Sequence, residues 1–287
     1  MWKSRLLGVV AALCFVTPAL AKPPVWIVRD ADSEIVLFGS VHVLPPGLDW
    51  EPDKLREALA AADDVWFELP IDPASEAQTG QLAMSKGMLP RDQTLSAMLS
   101  PKSRERLLKA CLRFHVSPGL LDRYEPWYAE VILSVLEFQA AGADADSGVE
   151  KTLSAQAPAT AQRRAFETPE QQIDMFDSAP RGAQIASLEE SLLEMERDPK
   201  AYDRLLGAWM KSDVKGLEKK ALEPLRKAAP DIYKRLVLDR NAAWTKALDA
   251  RLKGSGRTVV IVGVGHLIGP GGAPARLRAL GYSVEGP

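Results

Sequence analysis

Two short stretches near opposite ends of the chain place a histidine in the same setting. Ile35-Val36-Leu37-Phe38-Gly39-Ser40-Val41-His42 and Val259-Val260-Ile261-Val262-Gly263-Val264-Gly265-His266 each run through four apolar residues and then Gly-x-x-His. The chain has three histidines, and two of them share this context. A short apolar run bounded by glycine reads as a buried strand, so each segment predicts a strand whose carboxyl end delivers an imidazole. A further strand-like segment, Val65-Trp66-Phe67-Glu68-Leu69-Pro70, ends in an acid. Two imidazoles and one carboxylate suit hydrolysis by either of two routes. In the first, His42, Glu68 and His266 hold a divalent metal that acidifies a bound water. Manganese, cobalt and zinc all accept such ligands. In the second, a histidine acts as general base on water, with Glu68 orienting or charging it. The bland alternative is a pair of core histidines satisfied by backbone partners, and their matching contexts weigh against it.

Other residues invite weaker readings. His115, in Arg113-Phe114-His115-Val116-Ser117-Pro118, reads as a helix end, where an imidazole meets terminal carbonyls. Asp239-Arg240-Asn241 reads first as the polar face of an amphipathic helix. Alternatively, Arg240 points into a cleft and holds a substrate carboxylate, which a planar guanidinium does well. Gly263-Val264-Gly265 followed by Gly269 does not have dinucleotide-loop spacing. There is no P-loop, no G-x-S-x-G elbow and no H-E-x-x-H.

These residues need a scaffold that joins the two chain ends. The chain has 287 residues, 46 % of them apolar, enough for one large domain or two small ones. Its net charge of -2 points to neither nucleic acid nor an acidic membrane surface. Residues 1–21 read as a secretory signal peptide: Lys3 and Arg5, then apolar Leu6 to Val16, then an Ala-x-Ala end at Ala21. The expected destination is the periplasm or the exterior, with no stable membrane anchor after cleavage. The mature part keeps one cysteine, Cys111, so no intrachain disulfide can form there. Leu107, Leu108, Cys111 and Leu112 place that thiol on the apolar face of a helix.

In chain order, Val25 to Val28 and Ile35 to Gly39 predict a hairpin across Asp30-Ala31-Asp32-Ser33. A helix from Pro52 and the Val65–Leu69 strand complete a βαβ unit, which predicts the end of the Glu68 strand beside that of the His42 strand. From about residue 75 to 250 the pattern is mostly helical. Ser147-Gly148-Val149-Glu150 and Thr168-Pro169-Glu170-Gln171 match capping boxes. Arg164-Ala165-Phe166-Glu167 predicts a short strand, and Pro230 to Leu252 one long helix. Thr258 to Val262 and Tyr282 to Val284 predict the last strands. The fold class that follows is α/β: residues 22–287 form a single domain, with a central mixed sheet built from both chain ends and a large helical insertion.

In their order these segments resemble the TraB/GumN family, whose wider relatives include Tiki metalloproteases and, distantly, erythromycin esterases. The resemblance is carried by Leu37-Phe38-Gly39-Ser40-Val41-His42, Phe67-Glu68-Leu69-Pro70, Pro126-Trp127, Glu167-Thr168-Pro169-Glu170-Gln171-Gln172, Asp239-Arg240-Asn241 and Val264-Gly265-His266-Leu267-Ile268-Gly269. It implies a site at His42, Glu68 and His266 and adds Arg240 and Asn241 to it. Tiki-like members imply a manganese- or cobalt-dependent protease; esterase-like relatives imply a histidine that activates water without metal. Gly148-Val149-Glu150 stands where relatives carry a tighter Gly-hydrophobic-acid motif. The expected activity is therefore an exported hydrolase, metal-dependent, acting on a peptide or related bond. The alternatives are a protein that sequesters a peptide or small ligand, and a haem or iron carrier using two axial histidines.

Overall fold

Four apolar segments cannot face water on either side, and in the computed structural model, which describes residues 22–287, they pair with one another in one sheet. The expected signal peptide lies outside the described residues. The strands are β1 (Val25–Arg29), β2 (Ser33–Ser40), β3 (Asp64–Phe67), β4 (Gln162–Ala165), β5 (Gly256–Gly263) and β6 (Ser283–Glu285), in the order β4-β3-β5-β2-β1-β6. β1 and β2 form the expected antiparallel hairpin. β2, β5, β3 and β4 run parallel, so their carboxyl ends meet at one edge. β2, β3 and β5 are buried almost throughout, as strands covered on both faces must be. β4 reads Gln-Arg-Arg-Ala and is largely exposed, which suits a short charged edge that resists further pairing.

The sheet is thus α/β and mixed, and both chain ends build it. One expectation fails. β5 lies between β2 and β3, so the Glu68 strand borders the His266 strand and not the His42 strand. The βαβ unit is real, but β5 inserts into its gap. β5 carries the unbroken apolar run Val259-Val260-Ile261-Val262, which is fully buried, and a place between two strands pairs it on both edges.

The helical region has two parts, because β4 returns to the sheet between them. One apolar core covers the sheet and draws in Trp50, Trp209 and Leu248. Phe38 stacks on Trp50 at 5.6 Å, and Trp209 donates to the Gly39 carbonyl at 2.7 Å, which seats the end of β2. A second core lies among helices only, around Leu95, Cys111, Leu121, Leu133 and Leu188. Cys111 is buried there, and burial raises its thiol pKa. His115 caps the Pro101–Phe114 helix in left-handed conformation, φ 56°. The helix Pro126–Ala140 is apolar on most sides, yet it buries Trp127, Ala129 and Leu133 and leaves Val131 and Val135 exposed.

Candidate active site

At the carboxyl edge of the parallel strands, each strand hands over a polar side chain. β2 leads to Ser40 and His42, β3 to Glu68, β4 to Glu167 and β5 to Gly263 and His266. This is where ligands gather in open parallel sheets. The centre of the arrangement is Gly263. A methyl group placed there would lie 3.2 Å from Glu68 Oε1, 3.7 Å from His42 Nε2 and 3.8 Å from His266 Cδ2. Residues separated by more than half the chain therefore converge on one backbone position. The absence of a side chain at Gly263 keeps the space between them open, and its N–H donates to Glu68 Oε1 at 2.6 Å.

The two Gly-x-x-His segments look alike in sequence and differ in space. Gly263 pairs with Ser40 across the ladder, not with Gly39. After Gly39 the chain stays extended through Ser40, and the His42 side chain stands two-thirds exposed, at 68 %. After Gly263 the chain turns into a 3₁₀ turn, Val264–His266, which folds His266 inward to 7 % exposure.

His42 is gripped from behind. Its Nδ1 lies 2.7 Å from Glu150 Oε1, which also accepts from Ser40 Oγ at 2.5 Å. Nδ1 therefore carries the proton and Nε2 the lone pair whenever the ring is neutral. Nε2 has no hydrogen-bond partner among the described residues. The Glu150 charge and hydrogen bond lift the His42 pKa to about 9, with the Glu68 charge adding to the rise and the Arg240 charge opposing it. Glu150 reaches this position because Gly148 allows it. A methyl group on Gly148 would lie within 2.1 Å of the His42 carbonyl oxygen, a separation no side chain tolerates. The expected Ser147–Glu150 capping box is not formed: the N-cap falls on Gly148, which has no side chain to bond with, Ser147 belongs to the preceding 3₁₀ turn, and Glu150 turns to His42 instead. The Thr168 capping box is present.

His266 is held in the opposite electrostatic state. Asn241 Nδ2 donates to the Gly271 carbonyl at 2.8 Å, which turns Asn241 Oδ1 towards His266 Nδ1 at 2.7 Å. His266 Nδ1 is then the donor, and Nε2 accepts from Arg240 Nη1 at 3.0 Å. Burial pushes His266 down to about 4; the Glu68 charge opposes this and the Arg240 and His42 charges add to it. Trp244 packs against the ring at 4.5 Å between centroids.

Arg240 ties the inner site together. It pairs with both oxygens of Glu167 at 2.8 Å, with Glu68 Oε2 at 2.5 Å and with the Leu236 carbonyl at 3.3 Å. With the His266 contact, its donors are all directed at the protein, so it does not reach for a substrate carboxylate as the sequence alternative had it. Burial works against ionisation of Glu68. The imidazoles of His266 and His42, the Arg240 guanidinium and the Gly263 N–H outweigh it and hold Glu68 well below the usual carboxylate range.

Sequence reasoning missed Glu167 as a site residue. It ends a short strand just as Glu68 does and precedes a capping box, which was the available signal. Trp244 donates to Glu167 Oε1 at 2.9 Å, so the carboxylate is fully occupied. Glu150, the acid of the Gly148-Val149-Glu150 segment, is the direct partner of His42.

These contacts bear on a metal drawn from His42, Glu68 and His266. His42 Nε2 and Glu68 Oε1 both face the space at Gly263. Glu68 Oε2 and His266 Nε2 instead face the Arg240 guanidinium. Among the described residues no group of three or more His, Cys, Asp or Glu side chains is disposed to hold a metal ion. As arranged, the three side chains do not fit a common cation, because a guanidinium already stands against two of them. The same contact leaves His266 without a free lone pair for haem iron.

The chain matches the TraB/PrgY/gumN family over residues 24–286. It belongs to that family. The TraB/PrgY/gumN match spans every strand and every site residue just described. Among curated relatives, the chain is 24 % identical over 258 residues to the uncharacterized protein YbaP of Escherichia coli (strain K12), covering 89 % of this chain and 92 % of that protein. The same figures hold for YbaP of Shigella flexneri. No solved structure matches the chain.

A prediction follows from Gly263. Gly263→Ala leaves the backbone able to fold, since the residue has φ -49°, but its methyl group fills the shared space. We expect a normal circular dichroism spectrum and a melting temperature within a few degrees, with any hydrolytic activity reduced about tenfold, because the methyl group takes up space between His42 Nε2 and Glu68 Oε1 and presses only the Glu68 carboxylate, at 3.2 Å, slightly aside. Retention of wild-type turnover would show that the chemistry lies elsewhere.

Proposed function

We propose that the chain is an exported hydrolase that cleaves a peptide or related acyl bond, with His42 as the residue that activates water. The observation that supports this reading most is the convergence of His42 Nε2, Glu68 Oε1 and His266 on Gly263. Glu150 sets the tautomer of His42 so that its lone pair points at that space. A water held between His42 Nε2 and Glu68 Oε1 loses a proton to Nε2 as it attacks the carbonyl carbon. His42 then returns that proton to the leaving group. Glu68 stays ionised, holds the water by accepting its second hydrogen, and balances the imidazolium formed on His42. Arg240, Glu167, Asn241 and His266 position Glu68; His266 is neutral and its nitrogens are engaged.

The metal-dependent form of this reading is supported by the pair His42 Nε2 and Glu68 Oε1 facing one space. It requires Arg240 to withdraw from Glu68 and His266. Turnover of a mixed peptide library by the purified chain separates the two forms. It is measured by mass spectrometry after chelation and after adding back Mn²⁺, Co²⁺ or Zn²⁺. Activity that survives chelation supports water activation by His42; activity restored only by one metal supports the other form. His42→Ala is expected to lower turnover by about 10²- to 10⁴-fold. If His42→Ala cleaves as fast as the parent chain under every metal condition, the hydrolase reading at this site is wrong.

Export rests on the targeting pattern of residues 1–21. Among the described residues no helix is long and apolar enough to cross a membrane.

A further inference from the structure

Of the eight large apolar side chains that stand exposed, seven lie between Met84 and Val135, in the stretch that builds much of the second core. Single exposed apolar residues are ordinary on a protein surface. On the Pro101–Phe114 helix they coincide with a second feature. This helix buries Leu107, Ala110, Cys111 and Phe114 and turns its opposite face to solvent. On that face Leu108 and Leu112 stand one turn apart, 51 % and 76 % exposed, so Leu112 has given up most of the cover its own fold could supply. Exposed cations flank the pair. At about 100° per residue, Arg104 falls on one side of the leucines and Lys102, Lys109 and Arg113 on the other.

The charge on this face is positive after its acids are counted. The helix carries Lys102, Arg104, Arg106, Lys109 and Arg113 against one acid, Glu105. Glu105 pairs with Lys109. The neighbouring Arg181–Arg197 helix adds Glu196, which pairs with Arg106 and Lys109 at 2.8 and 3.0 Å, and Glu189, which accepts from the Ser100 N–H. Lys102, Arg104 and Arg113 have no carboxylate partner among the described residues. Arg113 donates to the Met195 and Pro199 carbonyls, which fixes its charge in place without neutralising it. The net charge of -2 averages over the whole chain and does not report this local excess. Beside the basic stripe a hollow of about 230 Å³ opens between the two helices. Buried Ala110, Phe114 and Leu192 line it together with Arg106, Lys109 and the Glu196 they share.

We propose that this helix face docks the chain reversibly on an anionic phospholipid bilayer. Leu108 and Leu112 enter the interface, and Lys102, Arg104, Lys109 and Arg113 lie at the level of the phosphates. Leucines set between cations on one helix suit a helix lying in the plane of such a surface. The stems of lysine and arginine follow the apolar part while their charges stay in water. Apolar lining next to cations, as in the hollow, matches a lipid whose acyl chain begins directly below its phosphate. A protein partner is the other way to cover the leucines, but protein interfaces are depleted in lysine, and here the leucines are ringed by cations. Docking of this kind does not depend on the chemistry at Gly263.

The test is co-sedimentation with vesicles of the chain from residue 22 to 287, which holds every strand and helix described. One vesicle is phosphatidylcholine alone, and the other contains about one third phosphatidylglycerol. Binding to the anionic vesicles is expected to exceed binding to the neutral ones by about tenfold or more, and to weaken as salt rises. A basic residue at such a surface is worth about fivefold, so Lys102→Gln/Arg104→Gln should lower partitioning about 25-fold. Leu108→Ser/Leu112→Ser should lower it by about tenfold. Both variants change exposed side chains only, so the melting temperature should hold. Equal sedimentation with both vesicles, sedimentation with neither, or anionic binding retained by either variant would each overturn the proposal. Analytical ultracentrifugation without lipid covers the remaining occupant: a dimer that Leu108→Ser/Leu112→Ser dissolves would assign the face to a second copy of the chain and overturn docking on lipid.

Discussion

Replacing Arg240 with alanine should destabilise the chain by about 3–5 kcal/mol, the usual consequence of removing one partner from a buried ion pair. Arg240 and its partners Glu68 and Glu167 each have side chains about 10 % exposed or less. Without the guanidinium, two buried carboxylates face each other with no cation between them, and Trp244 loses the charge lying 4.6 Å above its ring. For a domain of this size that corresponds to a melting temperature lower by on the order of 10 °C. Arg240→Lys should recover only a small part, because one ammonium cannot span Glu167, Glu68 and His266 together. A combined Arg240→Met, Glu68→Gln, Glu167→Gln variant should regain much of the loss, since it removes the uncompensated charges along with the cation. Thermal unfolding followed by circular dichroism measures all three. If Arg240→Ala melts within about 2 °C of the parent, the network adds no net stability and its proposed role in holding Glu68 is in error.

Hydrolysis should rise with pH and level off only above about 9, where the His42 lone pair becomes free. The sign follows from the direction of the shift. Glu150 favours the imidazolium, so the folded-state pKa of His42 lies above its ordinary value, and the base form is scarce at neutral pH. Glu150→Gln removes that charge but still accepts a hydrogen bond from Nδ1. The rising limb of the profile should therefore move down towards the ordinary imidazole value of about 6.5. The plateau should fall by about tenfold or more, because the neutral amide gives less support to the imidazolium formed in the transition state. Ser40→Ala should move the limb slightly if at all, as Ser40 touches Glu150 and not the ring. A Glu150→Gln profile that superimposes on the parent would mean that His42 is not the group that titrates in turnover. The chemical shift of the His42 ring carbon protons, followed against pH, gives the same pKa without turnover and so separates a wrong mechanism from a wrong pair.

Much of the site was legible because strand ends are punctuated locally. Apolar runs followed by glycine and histidine, or by an acid and proline, identify His42, Glu68 and His266 as side chains at the same sheet edge, and parallel pairing then brings them together. Arg240 and Asn241 were less legible. They fall within what reads as one amphipathic helix from Pro230 to Leu252, but that run contains a π-helical segment, Lys234–Asp239, just before Arg240. Wider turns change which face each residue presents, and periodicity at 3.6 residues does not report them. Glu167 lay in plain view as a strand-end acid, yet its importance depends on the partner it meets 73 positions away.

The sequence by itself determined the α/β class, the use of both chain ends in one sheet and the histidine and carboxylate types that reach its edge, because hydrophobic runs and their punctuation are local properties of the chain. Only the tertiary structure decided that β5 enters between β2 and β3, that two near-identical Gly-x-x-His segments end as one exposed and one buried imidazole, and that the Glu150 charge raises the pKa of the first while burial lowers that of the second. The physical reason is that strand order, burial and charge pairing are set by contacts between residues far apart in the chain, and pKa follows from those contacts and not from residue type.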